Sequence, residues 1–182
     1  MKAKDLCFIS IFTVLTSVGA FIKIPTPIVP FTLQYVFVLL SGIILGSKKA
    51  LLSQTIYLII GLIGIPIFSQ GGGIYYVLNP TFGYLIGFLA CSYLIGLFSE
   101  KIVIKNSLVL FLCSLPSLII MYLIGIIYFF LIMKYYYANE IIIKTFLIKI
   151  IPDFIMDIVL TYLTVLIGIN IKRRLKIDKK II

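Results

Sequence analysis

The chain has no histidine, three cysteines, and six acidic residues against sixteen basic ones. Without histidine it lacks the side chain that ordinarily titrates near neutrality and the commonest metal ligand, so acid–base and metal-dependent catalysis have little to start from. Cys7, Cys91 and Cys113 are odd in number and widely spaced, which fits neither a disulfide framework nor a metal site. No G-x-x-x-x-G-K-S/T segment occurs, and the cluster Gly71-Gly72-Gly73 is followed by no Lys-Ser or Lys-Thr, so no nucleotide is expected here. Charge itself is scarce, at 12% of residues against about 25% in ordinary soluble domains.

What remains is apolar. Hydrophobic residues make up 62% of the chain and the mean hydropathy is +1.22, which marks an integral membrane protein. At about 20 residues per span, the 182 residues hold six helices and no separate soluble domain, so residues 1–182 read as a single membrane domain. Charges and helix breakers punctuate it into spans at about 6–22, 32–46, 50–65, 80–98, 107–133 and 152–171, with a helical lead-in to the last from about Lys144 and a basic tail at 172–182. Lys2 and Lys4 imitate the start of a signal peptide, but the long apolar run and the spans that follow predict that the first helix is retained. Residues 50–99 carry no charge at all, and Pro66, Gly71-Gly72-Gly73 and Pro80 are expected to divide them into two helices.

Six spans put both termini on one side. That side carries twelve of the sixteen lysines and arginines, and the other carries Lys23, Lys134, Lys144 and Lys149. The positive-inside rule then predicts cytoplasmic termini, with the proline-rich loop at 24–34, the glycine loop and the 134–149 loop facing outward. The net charge of +10 lies in turns flanking spans and in the tail, so anionic lipid is the expected partner and nucleic acid is not. Tyr75, Tyr76 and Tyr135-Tyr136-Tyr137 fall where interfacial aromatic belts are expected. Gly42 and Gly46, and Gly83, Gly87 and Cys91, have the small-residue spacing of close helix contacts; Thr13 and Ser17 form a weaker pair of the same kind.

Polar groups at membrane depth carry the functional signal, because a carboxylate in hydrocarbon costs roughly 2.5 to 3.5 kcal/mol on insertion scales. Asp153 and Asp157 lie four apart on the sixth span, with Lys149 four residues before Asp153, so all three share one helical face. Asp153 also suits the first turn after Pro152, where the helix dipole favours an acid. Asn79 before Pro80 has two readings, a helix cap or an amide facing a ligand. Gln34 is too polar to face lipid and should point into the bundle. On the residues alone, the two acids also allow a proton-coupled secondary transporter of a small carboxylate that uses Asp153 and Asp157.

The segment Ile24-Pro25 through Pro30-Phe31-Thr32-Leu33-Gln34, then Leu39-Leu40-Ser41-Gly42, Gly64-Ile65-Pro66, Gly71-Gly72-Gly73 and Pro80-Thr81-Phe82-Gly83-Tyr84-Leu85-Ile86-Gly87-Phe88, resembles the BioY family. These are the biotin-binding S components of energy-coupling-factor transporters. The resemblance is strong over about residues 6–100 and continues through the span count and Pro152-Asp153. It implies an all-α bundle of six transmembrane helices in the cell membrane that captures biotin from outside. It also implies a complex with a transmembrane coupling protein and two ATPase subunits, in which the S component has no catalytic role and no cofactor of its own.

Transferred to this chain, the resemblance gives a binding set. Asp153 and Asn79 are expected to meet the ureido ring, since an ionised acid accepts both N–H donors and an amide does either job. Gln34 faces the bundle, Gly72 and Gly73 allow close backbone approach, and Tyr84 or Tyr76 packs the ring. Family members typically carry a lysine three places after the acid, where this chain has Met156 followed by Asp157; Lys149, one turn outward, is expected to replace it as partner of the ligand's carboxylate tail. The coupling surface, usually marked by alanines four apart on the first span, reads Ser10, Thr13 and Ser17 here.

Overall fold

The computed structural model describes residues 2–24, 30–101, 107–137 and 143–175, apart from the side chains at 143–145, 147 and 149. Six helices account for nearly all of it: α1 (Ala3–Phe21), α2 (Gln34–Leu45), α3 (Ser47–Ile63), α4 (Phe82–Lys101), α5 (Ser107–Tyr135) and α6 (Ile143–Arg174). Between α1 and α2 runs a short antiparallel hairpin, β1 (Lys23–Ile24) and β2 (Phe31–Thr32), with Lys23 opposite Thr32 and Ile24 opposite Phe31. A 3₁₀ turn over Ile74–Leu78 follows the glycine loop.

Glycine decides where α2 becomes α3. Gly46 has φ +79°, a conformation that L side chains rarely adopt, and it reverses the chain one residue ahead of Ser47. Lys48-Lys49, expected at the turn, instead lie in the first turn of α3. Gly64, at φ +121°, ends α3 just before Pro66, as that proline predicts. The glycine loop then folds back on the bundle, with the Gly73 amide donating to the Gly61 carbonyl at 2.7 Å and the Phe68 amide to the Gly71 carbonyl at 2.9 Å. Its freed backbone groups are thus satisfied by protein, the condition for irregular chain at membrane depth.

Helix α4 lies at the centre, packed on α2, α3 and α5. Small residues permit that approach: a Cβ on Gly42 would meet the Ser92 carbonyl at 2.8 Å, and one on Gly87 would meet the Met121 carbonyl at 2.8 Å. Four segments, Ala3–Phe21, Phe82–Lys101, Ser107–Tyr135 and Ile150–Arg174, are long and apolar enough to cross a membrane. Helix α6 starts at Ile143, beside the expected lead-in from about Lys144, and runs on through Pro152, because proline removes a single hydrogen bond and a long packed membrane helix carries that loss. Its lipid side is the exposed stripe Ile155, Val159, Leu163 and Ile167, and Asp157, Thr161 and Val165 are buried on the other.

Two helices are short. The 12 residues of α2 span about 18 Å at 1.5 Å per residue, well under the roughly 30 Å of hydrocarbon. The hairpin and the glycine loop occupy the missing length, so one end of the bundle is built from irregular backbone around a hollow.

Candidate functional site

That hollow is a cavity open at one end, whose empty space, counted out through the mouth, is about 590 Å³. Pro30, Phe31 and Thr32 of the hairpin form one wall, and Ser69 and Tyr76 of the glycine loop another. Gln34 and Tyr35 reach it from the first turn of α2, Thr81 from the turn before α4, Tyr84, Leu85 and Phe88 from α4, Met121 and Tyr122 from α5, and Ile150, Asp153 and Asp157 from α6. Asp153 and Asp157 share a helical face, as their spacing requires, with Asp157 the deeper at 6% exposed.

The floor is a polar network with two open positions. Tyr122 donates its hydroxyl to Asp157 Oδ2 at 2.7 Å. Thr161 donates to the Asp157 carbonyl at 2.6 Å, which leaves the Tyr35 hydroxyl donating to Thr161 Oγ1 at 2.8 Å. Against this, Asp157 Oδ1 and the Tyr84 hydroxyl are buried and have no hydrogen-bond partner among the described residues. An unsatisfied buried polar group costs roughly 1–3 kcal/mol, more when charged. Gln54 Oε1 and Ser117 Oγ are orphaned too but lie outside the lining, whereas these two belong to one cavity, where a ligand can complete the bonding.

Aromatic rings form the walls. Tyr84 and Tyr122 meet edge to face with centroids 5.7 Å apart, and Tyr122 meets Phe154 likewise at 5.0 Å. Tyr76 stacks on Phe68 at 4.6 Å; it is buried, unlike exposed Tyr75, Tyr135, Tyr136 and Tyr137, and so serves the cavity rather than an interfacial belt. Gln34 is oriented from both ends, its Nε2 donating to the Tyr57 hydroxyl at 2.6 Å and its Oε1 accepting from Thr32 at 3.1 Å. The lining contains two carboxylates and, among the described residues, no lysine or arginine.

Of the residues singled out in the sequence, Gln34, Tyr76, Tyr84 and Asp153 come together here. Asn79 does not line the cavity. Its Oδ1 accepts from the Thr81 amide at 2.9 Å and the Thr81 hydroxyl at 2.8 Å, and its Nδ2 donates to Gln70 at 2.7 Å, so it organises the turn that presents Thr81. Gly72 and Gly73 also stand outside the lining: a Cβ on Gly72 would strike the Ile65 carbonyl, and Gly73 at φ +101° starts the 3₁₀ turn. The Lys149 side chain lies outside the described residues, as do Pro25–Val29 of the proline loop. Ser10, Thr13 and Ser17 fall on one side of α1 at helical spacing, with Ser10 exposed, Ser17 half-buried against the Thr13 carbonyl at 3.0 Å, and Thr13 buried and bonded to the Ser53 carbonyl at 3.1 Å.

Sequence reasoning missed Tyr35, Tyr122, Thr81 and Ser69. Tyr122 alone left a signal, a phenol mid-span, where a hydroxyl must find a partner.

The BioY family model matches residues 1–177. A probable biotin transporter BioY of Lysinibacillus sphaericus is 48% identical over 126 residues, covering 69% of this chain and 64% of that protein. One from Pyrococcus horikoshii is 38% identical, covering 92% of this chain and 96% of its own length. The crystal structure of the S-component for biotin from an ECF-type ABC transporter superposes with a TM-score of 0.82 at 25% identity, over 95% of both chains.

Proposed function

The chain belongs to the BioY family, and on that premise we propose that it is the biotin-capturing S component of an energy-coupling-factor uptake system. The observation that carries the reading is the pair of orphaned atoms on the cavity floor, Asp157 Oδ1 and the Tyr84 hydroxyl. A ureido ring is their complement, since its N–H donates to the carboxylate while its carbonyl accepts from the phenol. Asp153, nearer the mouth, takes the second N–H. Gln34 and Tyr76 complete the polar and aromatic walls, and the apolar sulfur ring packs on Tyr84 and Tyr122. Asn79, Gly72 and Gly73 act indirectly, by fixing the loop that closes the site.

Both termini lie in the cytoplasm, the cavity mouth faces outward, and the chain is a multi-pass protein of the cell membrane. Energy comes from outside the chain, which has no nucleotide motif: a coupling protein and two ATPase subunits drive delivery. Proton coupling through Asp153 and Asp157 is not favoured by the family to which the chain belongs. The test is biotin binding by the purified chain in detergent, followed by uptake in cells with and without the ATPases. One biotin per chain, and accumulation only with the ATPases, are expected. Uptake against a gradient that ignores the ATPases and follows the proton gradient would refute the proposal.

A further inference from the structure

Biotin ends in a carboxylate, and this cavity is lined with two more carboxyl groups, Asp157 on the floor and Asp153 nearer the mouth. Resting on the proposed function, the ligand must therefore enter ring first and find its cation at the mouth. Lys23 is placed there. It stands on β1 opposite Thr32, a cavity residue, and its Nζ crosses to the glycine loop, donating to the carbonyl of Ser69, another cavity residue, at 2.6 Å. An ammonium has three donors, and this contact uses one. Its acceptor is a neutral carbonyl; the ion pair among the described residues, Lys49 with Asp5, lies elsewhere on α1 and α3. The result is an exposed, uncompensated positive charge tethered at the rim of a cavity whose interior is anionic.

We propose that Lys23 is the residue that recognises the ligand's carboxylate, so that a lysine on the hairpin supplies the tail contact that the sixth helix, with Met156 and Asp157, does not. Anchoring to Ser69 holds the ammonium over the mouth before ligand arrives, and the two free donors meet the tail without breaking that anchor. Ring and tail recognition are then divided between α6 and the hairpin.

The ratio of two affinities reads this out. Biotin and biotin amide share the ring and differ in tail charge, so a merely structural role for Lys23 would weaken both equally. Wild type is expected to bind biotin about tenfold more tightly than the amide, the equivalent of about 1.4 kcal/mol. Lys23→Gln should weaken biotin alone and bring the ratio to about one, Lys23→Arg should keep it, and Lys149→Gln should leave it intact. A Lys23→Gln protein that retains the preference overturns the inference, and so does loss of the preference in Lys149→Gln, even if the Lys23 variant fails to fold. Equal binding of both compounds by wild type overturns this inference and leaves capture standing, whereas binding of neither removes both.

Discussion

The two ends of this bundle treat their polar groups in opposite ways. At the end holding the α2–α3 turn, Glu100, Lys172, Lys49 and Asp5 are each engaged within the protein. Glu100 accepts from the Ser47 amide at 2.7 Å and from its hydroxyl at 3.1 Å, capping α3 from the last turn of α4. Lys172 is buried and donates to the carbonyl and hydroxyl of Ser99 at 3.2 and 3.0 Å, and Lys49 meets Asp5 at 2.6 Å. At the cavity end, Asp157 and Tyr84 are buried, yet each leaves an atom without a partner among the described residues. A satisfied polar group holds helices together, and an unsatisfied one in a cavity lining holds a place for a ligand.

The contrast predicts that mutations at one end change stability and at the other change affinity. Asp157→Asn should produce the largest effect, weakening biotin about 10- to 100-fold, the range expected of a hydrogen bond to a charged group, while apo stability stays level or rises. Calorimetry and a thermal melt on the same preparation check both. Glu100→Ala should do the reverse, lowering stability by about 1–2 kcal/mol through loss of the α3 cap with biotin affinity unchanged, as read by denaturation and binding in parallel. Tyr84→Phe removes a hydroxyl that bonds to no described residue; affinity is expected to fall about tenfold with no loss of stability. Lys49→Met should leave the melting temperature nearly unchanged in a thermal melt, because both side chains of the pair are solvent-exposed enough for water to screen it.

The same division explains what was legible in the sequence. Helix packing was readable because glycines at four-residue spacing have one physical use in an apolar helix, and Gly83 and Gly87 do lie against α5. The break between the third and fourth spans was readable from Pro66 and the three glycines. Gln34, Tyr84 and Asp153 were readable because polar or amphipathic side chains near span ends must turn inward. The lead-in to α6 from about Lys144 was readable too, since it is seen from Ile143, although Pro152 alone looks like a helix start. Asn79 satisfies a turn as well as it would a ligand, and composition does not choose between them. Tyr35 and Tyr122 needed the third dimension: their role follows from Thr161 and Asp157 lying opposite, at sequence separations of 126 and 35.

The most direct test of the central claim is the effect of Tyr84→Phe on two quantities in one preparation, the melting temperature without ligand and the affinity for biotin. If the hydroxyl waits for a ligand, the variant melts at or above the wild-type temperature and binds biotin about tenfold more weakly. If affinity is unchanged, or if melting temperature and affinity fall together, the orphaned atoms are not the ligand's partners and the account of the cavity floor is wrong.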